Sequence, residues 1–167
     1  MQTEPCCDAA QEPAPIRLRG HHFLCLLTYK GLGYTPAFVE NMTAIAHRIN
    51  AGEKVILHPG PDDICAALTP ADRAACNHDC AKSETAALDD MAEAATVAVL
   101  GHGLDAAFTL DVDKVAQLRA AFLTGESRSA CGICRWRAVC DEISASGFEG
   151  VVMRGGGSEA GQPAAGK

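Results

Sequence analysis

The sequence predicts an α+β protein, a single and mostly helical domain with a few short strands and a cysteine-ligated metal site towards its C-terminal end. Three observations support this class. The 167 residues suffice for one domain with a hydrophobic core but not comfortably for two. Apolar residues recur at helical spacing between capping residues and glycines over most of the chain. Three of the nine cysteines fall within residues 131–140.

The helices are predicted from the residues that start and end them. In the clearest one, Thr35 is the capping residue, Pro36 takes the first helical position and Gly52 ends the apolar pattern. Other helices are predicted over 21–30, after Thr69-Pro70, from Ser83 to Gly101, from Asp111 to Gly125 and over 137–146. Short strands are predicted over 16–19, 54–58, 107–110 and 150–153.

The chain is predicted to have three parts. Residues 1–15 and 154–167 are rich in proline, glycine, alanine and small polar residues and lack a periodic pattern, which predicts a disordered N-terminal arm and a flexible C-terminal tail. Residues 16–153 form the single domain, which we expect to bind an iron-sulphur cluster. Cys6 and Cys7 fall on the arm and are interpreted as bystanders.

Composition limits the partners and the compartment, although it leaves the oligomeric state open. The chain carries 14 basic and 21 acidic residues, and its net charge of -7 argues against binding to nucleic acid or to an anionic membrane. The start of the chain has neither a basic opening nor an apolar run, and no apolar stretch is long enough for a membrane span, so we expect a cytoplasmic protein. Nine cysteines in a reducing compartment indicate metal or redox chemistry rather than a disulfide framework.

The segment CGICRWRAVC holds three closely spaced thiols, those of Cys131, Cys134 and Cys140. In a C-x2-C pair, the two intervening residues allow both sulphurs to reach one metal centre while backbone amides point back at them. A helix expected to begin near Cys140 would place free amides close to its thiolate. Structural zinc normally takes two short pairs, whereas a triplet with one remote cysteine is typical of a cubane cluster, so the spacing favours a 4Fe-4S cluster.

Three further residues lie between these cysteines. Trp136 could cover one face of a cluster and keep water away, while Arg135 and Arg137 could offset the negative charge of the cluster and tune its potential. In the alternative interpretation, Trp136 is an ordinary core residue and both arginines are solvated. For the tryptophan taken alone, the core interpretation is favoured.

The spacing leaves the fourth cluster ligand open. Cys65 follows the turn PGPDD, and Cys76 and Cys80 bound the segment CNHDC. Cys25 lies in the apolar run FLCLL, where a buried core thiol is the favoured interpretation because cysteine is among the most commonly buried residues.

A zinc-stapled interaction module is the alternative to a cluster. Its four thiolates would be Cys76, Cys80, Cys131 and Cys134, and His78 could replace one of them. Such a zinc ion would be structural, so the protein would function by binding a partner rather than by redox chemistry.

Three stretches, RLRGHHFLCLLTYKGLGYTPAFVENM, GPDDIC and CGICRWRAVCDEISASGFEGV, resemble the domain-of-unknown-function 1284 family. This is an uncharacterised family of short bacterial and archaeal proteins described as iron-sulphur binders, and the resemblance spans about residues 16–153. The resemblance implies a cluster with Cys131, Cys134 and Cys140 as ligands and Cys65 as the fourth. It implies no particular activity, because the activity of the family is unknown.

These features predict a small cytoplasmic protein that binds one 4Fe-4S cluster and transfers electrons or senses redox state, with a redox partner protein. A third possibility is an enzyme in which three cysteines hold the cluster and leave an open iron near His21 or Asp63. For the adjacent His21 and His22, and for the pair Asp62 and Asp63, structural roles are favoured. The sequence contains no P-loop, G-x-S-x-G or H-E-x-x-H motif.

Overall fold

The computed structural model describes residues 13–76, 79–101 and 106–157, which contain six α-helices and one two-stranded sheet. The helices in chain order are α1 (Gly20–Leu26), α2 (Pro36–Asn50), α3 (Pro70–Ala75), α4 (Ser83–Leu100), α5 (Val112–Thr124) and α6 (Arg137–Ala145). The strands are β1 (Ile16–Leu18) and β2 (Val55–Leu57). The predicted class, a mostly helical α+β protein, is confirmed.

The sheet is smaller than the sequence predicts. β1 and β2 pair in parallel with Ile16 opposite Val55, so the chain between them crosses over through α1 and α2. The predicted strand over 107–110 contributes one antiparallel bridge, between Phe108 and Val55. The sheet therefore consists of one parallel pair, in which β1 precedes α1 and β2 follows α2.

The last described residues pack on the helices. The predicted strand over 150–153 is wrong, because the Val152 amide donates instead to the Tyr29 carbonyl just beyond α1, at 3.0 Å. The Arg154 amide then donates to the Asn50 side-chain oxygen at 2.6 Å. The first residues of the predicted tail are thus hydrogen bonded to the end of α2.

Parts of the predicted arm and tail, residues 1–12 and 158–167, lie outside the described residues, together with Cys6 and Cys7. His78 also lies outside them. Within the part of the chain that the structure describes, no helix has both the length and the apolar character needed to cross a bilayer.

α1 is a buried helix of the core. Phe23, Leu24 and Leu26 are at most 2% exposed. The helix ends at Leu26 rather than at residue 30 as predicted, because the amides of Thr28 and Tyr29 bond to carbonyls only three residues earlier. This tighter turn carries the Thr28 side chain back towards the end of the helix.

α1 approaches α4 most closely at Gly20. A Cβ atom at this position would lie 2.3 Å from the Asp89 carbonyl oxygen, so only glycine allows the two backbones to come this close. The contact brings the Asp89 carboxylate to Arg19 and His21 at the start of α1.

Side-chain caps set the start of several helices. Thr35 accepts a hydrogen bond from an amide in the first turn of α2, and Asp111 does the same for α5, as predicted. Ser83 is the first residue of α4, and Lys82 takes the cap position that the sequence pattern assigned to Ser83.

Candidate metal centre

A cavity of about 310 Å³ lies between α1, the turn that follows it and the C-terminal cysteine segment. Four half-buried thiols line it, those of Cys25, Cys131, Cys134 and Cys140, which we call the cavity thiols. Three of them are the predicted triplet, and Cys25 belongs to α1. Cys65, the predicted fourth ligand, is not among the described residues that line the cavity.

Local backbone structure presents the triplet to the cavity. Cys131 ends a 3₁₀ turn (Ser129–Cys131), and the Cys134 amide donates to the Cys131 carbonyl at 3.2 Å, which closes the C-x2-C loop. Cys140 lies in the first turn of α6. Cys25 faces these residues from α1, so the four thiols come from two parts of the chain more than a hundred residues apart.

The spacing of the cavity thiols bears on the kind of metal centre they could hold. Among the described residues, only His22, Asp62 and Cys65 place three ligand atoms within 4.8 Å of one another. The cavity thiols do not form such a group among the described residues. In a cubane cluster, each thiolate binds a different iron, so its ligands are expected to stand farther apart.

Burial raises the pKa of three cavity thiols. For Cys25 burial is the largest cause, the negative charges of the other cavity thiols add to it, and its pKa lies well above the usual value. Burial likewise raises the pKa of Cys131 and Cys140, although Arg128 beside Cys131 and the Thr28 hydroxyl beside Cys140 act in the opposite direction. These three thiols are protonated at neutral pH without a metal, so a metal centre must displace their protons.

Two polar groups that the sequence pattern did not single out contact the cavity thiols. The Thr28 hydroxyl donates to the Cys140 sulphur at 3.2 Å, and the Arg128 guanidinium lies near enough to Cys131 for its charge to lower the pKa of that thiol. Thr28 follows Cys25 by three residues, and Arg128 precedes Cys131 by three. This spacing of about one helical turn is the signal that could have identified both.

Aromatic side chains form one wall of the cavity. The Trp136 ring is half-buried and meets the Tyr34 ring edge-on, with 6.1 Å between centroids. The Arg135 guanidinium lies 5.6 Å from the centre of the Tyr34 ring and donates to the Cys76 carbonyl at 3.3 Å. Arg137 is exposed. The tryptophan is therefore a lining residue of the cavity, and Arg135 packs against the same wall.

Cys65 belongs to a second group of side chains, which we call the inner cluster: His22, Asp62, Cys65 and Cys80. Each is at most 5% exposed. The Asp62 carboxylate accepts a hydrogen bond from the Cys65 amide at 2.9 Å and lies 2.9 Å from His22 Nδ1. The Cys65 sulphur lies within 4.8 Å of a His22 ring nitrogen, and the Cys80 thiol is close enough to influence its pKa. His22 also lines the cavity, so the inner cluster borders it.

Arg19 connects the inner cluster to α4. Its guanidinium, 1% exposed, donates to the Asp89 carboxylate at 2.7 Å and to the Cys80 carbonyl at 2.8 Å, and its Nη1 lies 3.7 Å from the Cys65 sulphur. His21 Nδ1 lies 2.7 Å from the other oxygen of Asp89. The two adjacent histidines therefore contact different acids.

The protonation of these groups follows from burial and pairing. Burial lowers the pKa of His22, but the Asp62 carboxylate raises it more, to about 9. The imidazolium in turn holds the pKa of Asp62 well below its usual range against the opposing effect of burial. For His21, burial outweighs the carboxylate it contacts and lowers the pKa to about 4. The hydrogen bond between the thiols lowers the pKa of Cys80 to about 7 and raises that of Cys65.

The four cysteines of the zinc alternative do not form one group among the described residues. Cys80 lies in the inner cluster, whereas Cys131 and Cys134 line the cavity. Cys76 is half-buried, and its carbonyl contacts the aromatic wall. The structure thus pairs Cys80 with Cys65 rather than with the triplet.

The fold and these two groups define a mostly helical α+β protein whose cysteines gather around a cavity and in a buried cluster beside it. A family model described as "Protein of unknown function (DUF1284)" matches residues 33–140, more than half of the chain. The chain belongs to this family, in agreement with the resemblance. The match includes the triplet and both inner-cluster cysteines but begins after Cys25. No curated protein and no solved structure matches the chain.

Proposed function

We propose that this protein binds one 4Fe-4S cluster in the cavity through Cys25, Cys131, Cys134 and Cys140. The observation that carries the proposal is that these four thiols, which come from α1 and from the C-terminal cysteine segment, line one cavity. A cubane cluster takes four thiolates, one for each iron, and therefore suits separated sulphurs. A single zinc ion would require a tighter tetrahedron of ligands.

Cys25 takes the place of Cys65 in this proposal because of where the two thiols lie. Cys25 faces the cavity with the triplet. Cys65 is 1% exposed, and its sulphur lies 3.7 Å from Arg19 Nη1 and within 4.8 Å of His22 and Asp62 ligand atoms. A cluster ligated by Cys65 would need the inner cluster to open, whereas one ligated by Cys25 would not. Ligation by Cys65 instead of Cys25 is the competing assignment for the fourth ligand of the cluster.

The residues around the cavity suit a cluster with thiolate ligands. Such a cluster carries negative charge, and Arg128 beside Cys131 and the Thr28 hydroxyl on Cys140 would stabilise it. Trp136 would limit the access of water. When bound, the cluster would supply one-electron transfer, so we propose electron transfer or redox sensing in the cytoplasm, with a redox partner protein.

The test compares Cys25→Ser with Cys65→Ser in protein purified without oxygen. Cys76→Ser is the matched control, because Cys76 is half-buried and lies outside both thiol groups. Iron, sulphide, zinc and visible absorption are measured for each. We expect about four irons and four sulphides per chain in the wild type, Cys65→Ser and Cys76→Ser, and loss of both with Cys25→Ser.

Two results would contradict this expectation. A cluster that survives Cys25→Ser but not Cys65→Ser would return the fourth ligand to the inner cluster. A colourless wild-type protein that holds zinc without iron would exclude the 4Fe-4S cluster and favour a zinc-stapled interaction module. Circular dichroism of each variant separates loss of a ligand from loss of the fold.

A further inference from the structure

The inner cluster is a second set of metal-binding side chains, separate from the cavity thiols. His22, Asp62 and Cys65 each offer one ligand atom, and these atoms lie within 4.8 Å of one another. Cys80 adjoins this group, because the Arg19 guanidinium that lies 3.7 Å from the Cys65 sulphur also donates to the Cys80 carbonyl at 2.8 Å, and all four residues are at most 5% exposed. We propose that His22, Asp62, Cys65 and Cys80 bind one zinc ion, independently of the cluster in the cavity.

The spacing of the His22, Asp62 and Cys65 ligand atoms is close to that of three corners of a zinc tetrahedron. Zinc bonds of about 2.1 Å to nitrogen and oxygen and about 2.3 Å to sulphur place neighbouring ligand atoms roughly 3.4 to 3.8 Å apart. His22 Nδ1 and the Asp62 oxygen are 2.9 Å apart and would separate slightly. The ligand atoms of His22, Asp62 and Cys65 lie within 4.8 Å of one another and need to approach by no more than about 1 Å, whereas the Cys80 thiol lies outside this group and would have to move farther to complete the tetrahedron.

The donor types select zinc among the common metals. Two thiols, an imidazole and a carboxylate form a mixed sulphur, nitrogen and oxygen set, whereas magnesium and calcium require oxygen donors. Four protein ligands leave no open position, which is typical of structural zinc. The ion would join α1, through His22, to the turn at Asp62 and to the segment before α4 that carries Cys80.

Arg19 helps to meet the charge requirement of such a site. Two thiolates and the Asp62 carboxylate carry three negative charges, of which zinc balances two. The Arg19 guanidinium lies 3.7 Å from the Cys65 sulphur and is held there by its bonds to the Cys80 carbonyl and to Asp89. It is therefore placed to donate to a zinc-bound thiolate. The two thiol protons and one ring proton of His22 are released to solvent as the metal binds.

The first test uses the wild-type protein alone, purified without oxygen and equilibrated with buffered free zinc. We expect one zinc per chain to remain after removal of unbound metal. We also expect the unfolding temperature to rise with the free zinc concentration, because zinc would bind the folded state only. Cobalt(II), used as a probe, should give the intense visible bands of a tetrahedral site and a near-ultraviolet charge-transfer band from thiolate.

Variants then locate the site. Cys65→Ser and Asp62→Asn should weaken zinc binding by more than about tenfold, since even the loss of an outer hydrogen-bond partner can have that effect. Cys76→Ser should bind zinc as the wild type does. Cys25→Ser should lose its iron and keep its zinc, which separates this site from the proposed cluster.

Three results would overturn the zinc site: a folded wild-type protein that retains no zinc, retention that is unchanged in Cys65→Ser, or a Cys65–Cys80 disulfide in protein purified without oxygen. Loss of zinc with Cys25→Ser would likewise overturn it, because the ion would then lie in the cavity. A normal iron content alongside any of the first three results would leave the proposed cluster standing. A wild-type protein that retains zinc but holds no iron would leave the zinc site standing and overturn the proposed cluster.

Discussion

The Thr28 hydroxyl donates to the Cys140 sulphur at 3.2 Å and joins the turn after α1 to the first turn of α6. Thr28 is 3% exposed, so water cannot readily replace this donor. A hydrogen bond to a ligand sulphur stabilises the reduced form of a cluster more than the oxidised form, because reduction adds negative charge. The donor would therefore raise the reduction potential of the proposed 4Fe-4S cluster.

Thr28→Val keeps the shape of the side chain and removes the hydroxyl. We expect the midpoint potential to fall by about 40 mV, which corresponds to roughly 1 kcal/mol of lost stabilisation in a one-electron couple. A redox titration followed by visible absorption measures this shift. Thr28→Ser, which retains the donor, should leave the potential near the wild-type value, and equal potentials in all three proteins would exclude the role of the hydroxyl.

The buried pair of Arg19 and Asp89 predicts a large effect on stability. Their side chains are 1% and 9% exposed, and Asp89→Asn would leave a buried guanidinium without its counter-charge. We expect the free energy of unfolding to fall by about 3 kcal/mol, measured by urea denaturation. Asp90→Asn, at the exposed neighbouring position, should change it by less than about 0.5 kcal/mol. Similar losses in the two variants would contradict the importance of the pair.

The elements of this fold that depend on local signals were predictable from the sequence. Thr35 and Asp111 cap α2 and α5 as expected. The spacing of the triplet likewise explains how Cys131 and Cys134 face one cavity. Local patterns succeed here because caps and C-x2-C loops are formed by residues a few positions apart.

The positions of Cys25 and Cys65 could not be read from the sequence. A cysteine in FLCLL has the pattern of a core residue, and its contact with the cavity depends on how α1 packs through Gly20 against Asp89. The contact between Cys65 and Cys80 is likewise tertiary, because it joins two separate turns. Hydrophobic periodicity indicates that a helix is buried, but it does not show which neighbouring element each face of the helix contacts.

The lowered pKa of His21 predicts a loss of stability in mild acid. In the folded protein this pKa is about 4, against 6.5 for an ordinary histidine. Between these values, the unfolded chain binds a proton that the folded protein does not, so the stabilisation is complete above pH 6.5 and is lost as the pH falls towards 4. The loss from this one group amounts to about 3 kcal/mol.

His21→Asn removes the titrating ring and keeps a donor for Asp89. We expect the free energy of unfolding of this variant to decline less steeply between pH 6.5 and 4 than that of the wild type, as measured by urea denaturation at several pH values. His47→Asn, at an exposed position on α2, should follow the wild-type curve. Parallel curves for wild type and His21→Asn would show that His21 does not cause the decline.

Gly20→Ala tests whether the contact between α1 and α4 positions the cavity. The added Cβ atom would lie 2.3 Å from the Asp89 carbonyl oxygen and 3.0 Å from its carbonyl carbon. Because these are backbone atoms, no side-chain rotation relieves the clash and one helix must shift. We expect the free energy of unfolding to fall by about 2 kcal/mol. The iron content should fall as well, since α1 carries Cys25.

The matched control is Gly132→Ala, between two of the cavity thiols. Its Cβ atom would come no closer than 3.9 Å to the Ser129 carbonyl oxygen, and its backbone is already right-handed helical, so alanine fits there. If iron content falls with Gly20→Ala but not with Gly132→Ala, the metal centre depends on the helix contact at Gly20. It then depends less on the size of the residue at position 132, inside the cysteine loop. Wild-type stability and iron content in Gly20→Ala would mean that α1 reaches the cavity without this contact.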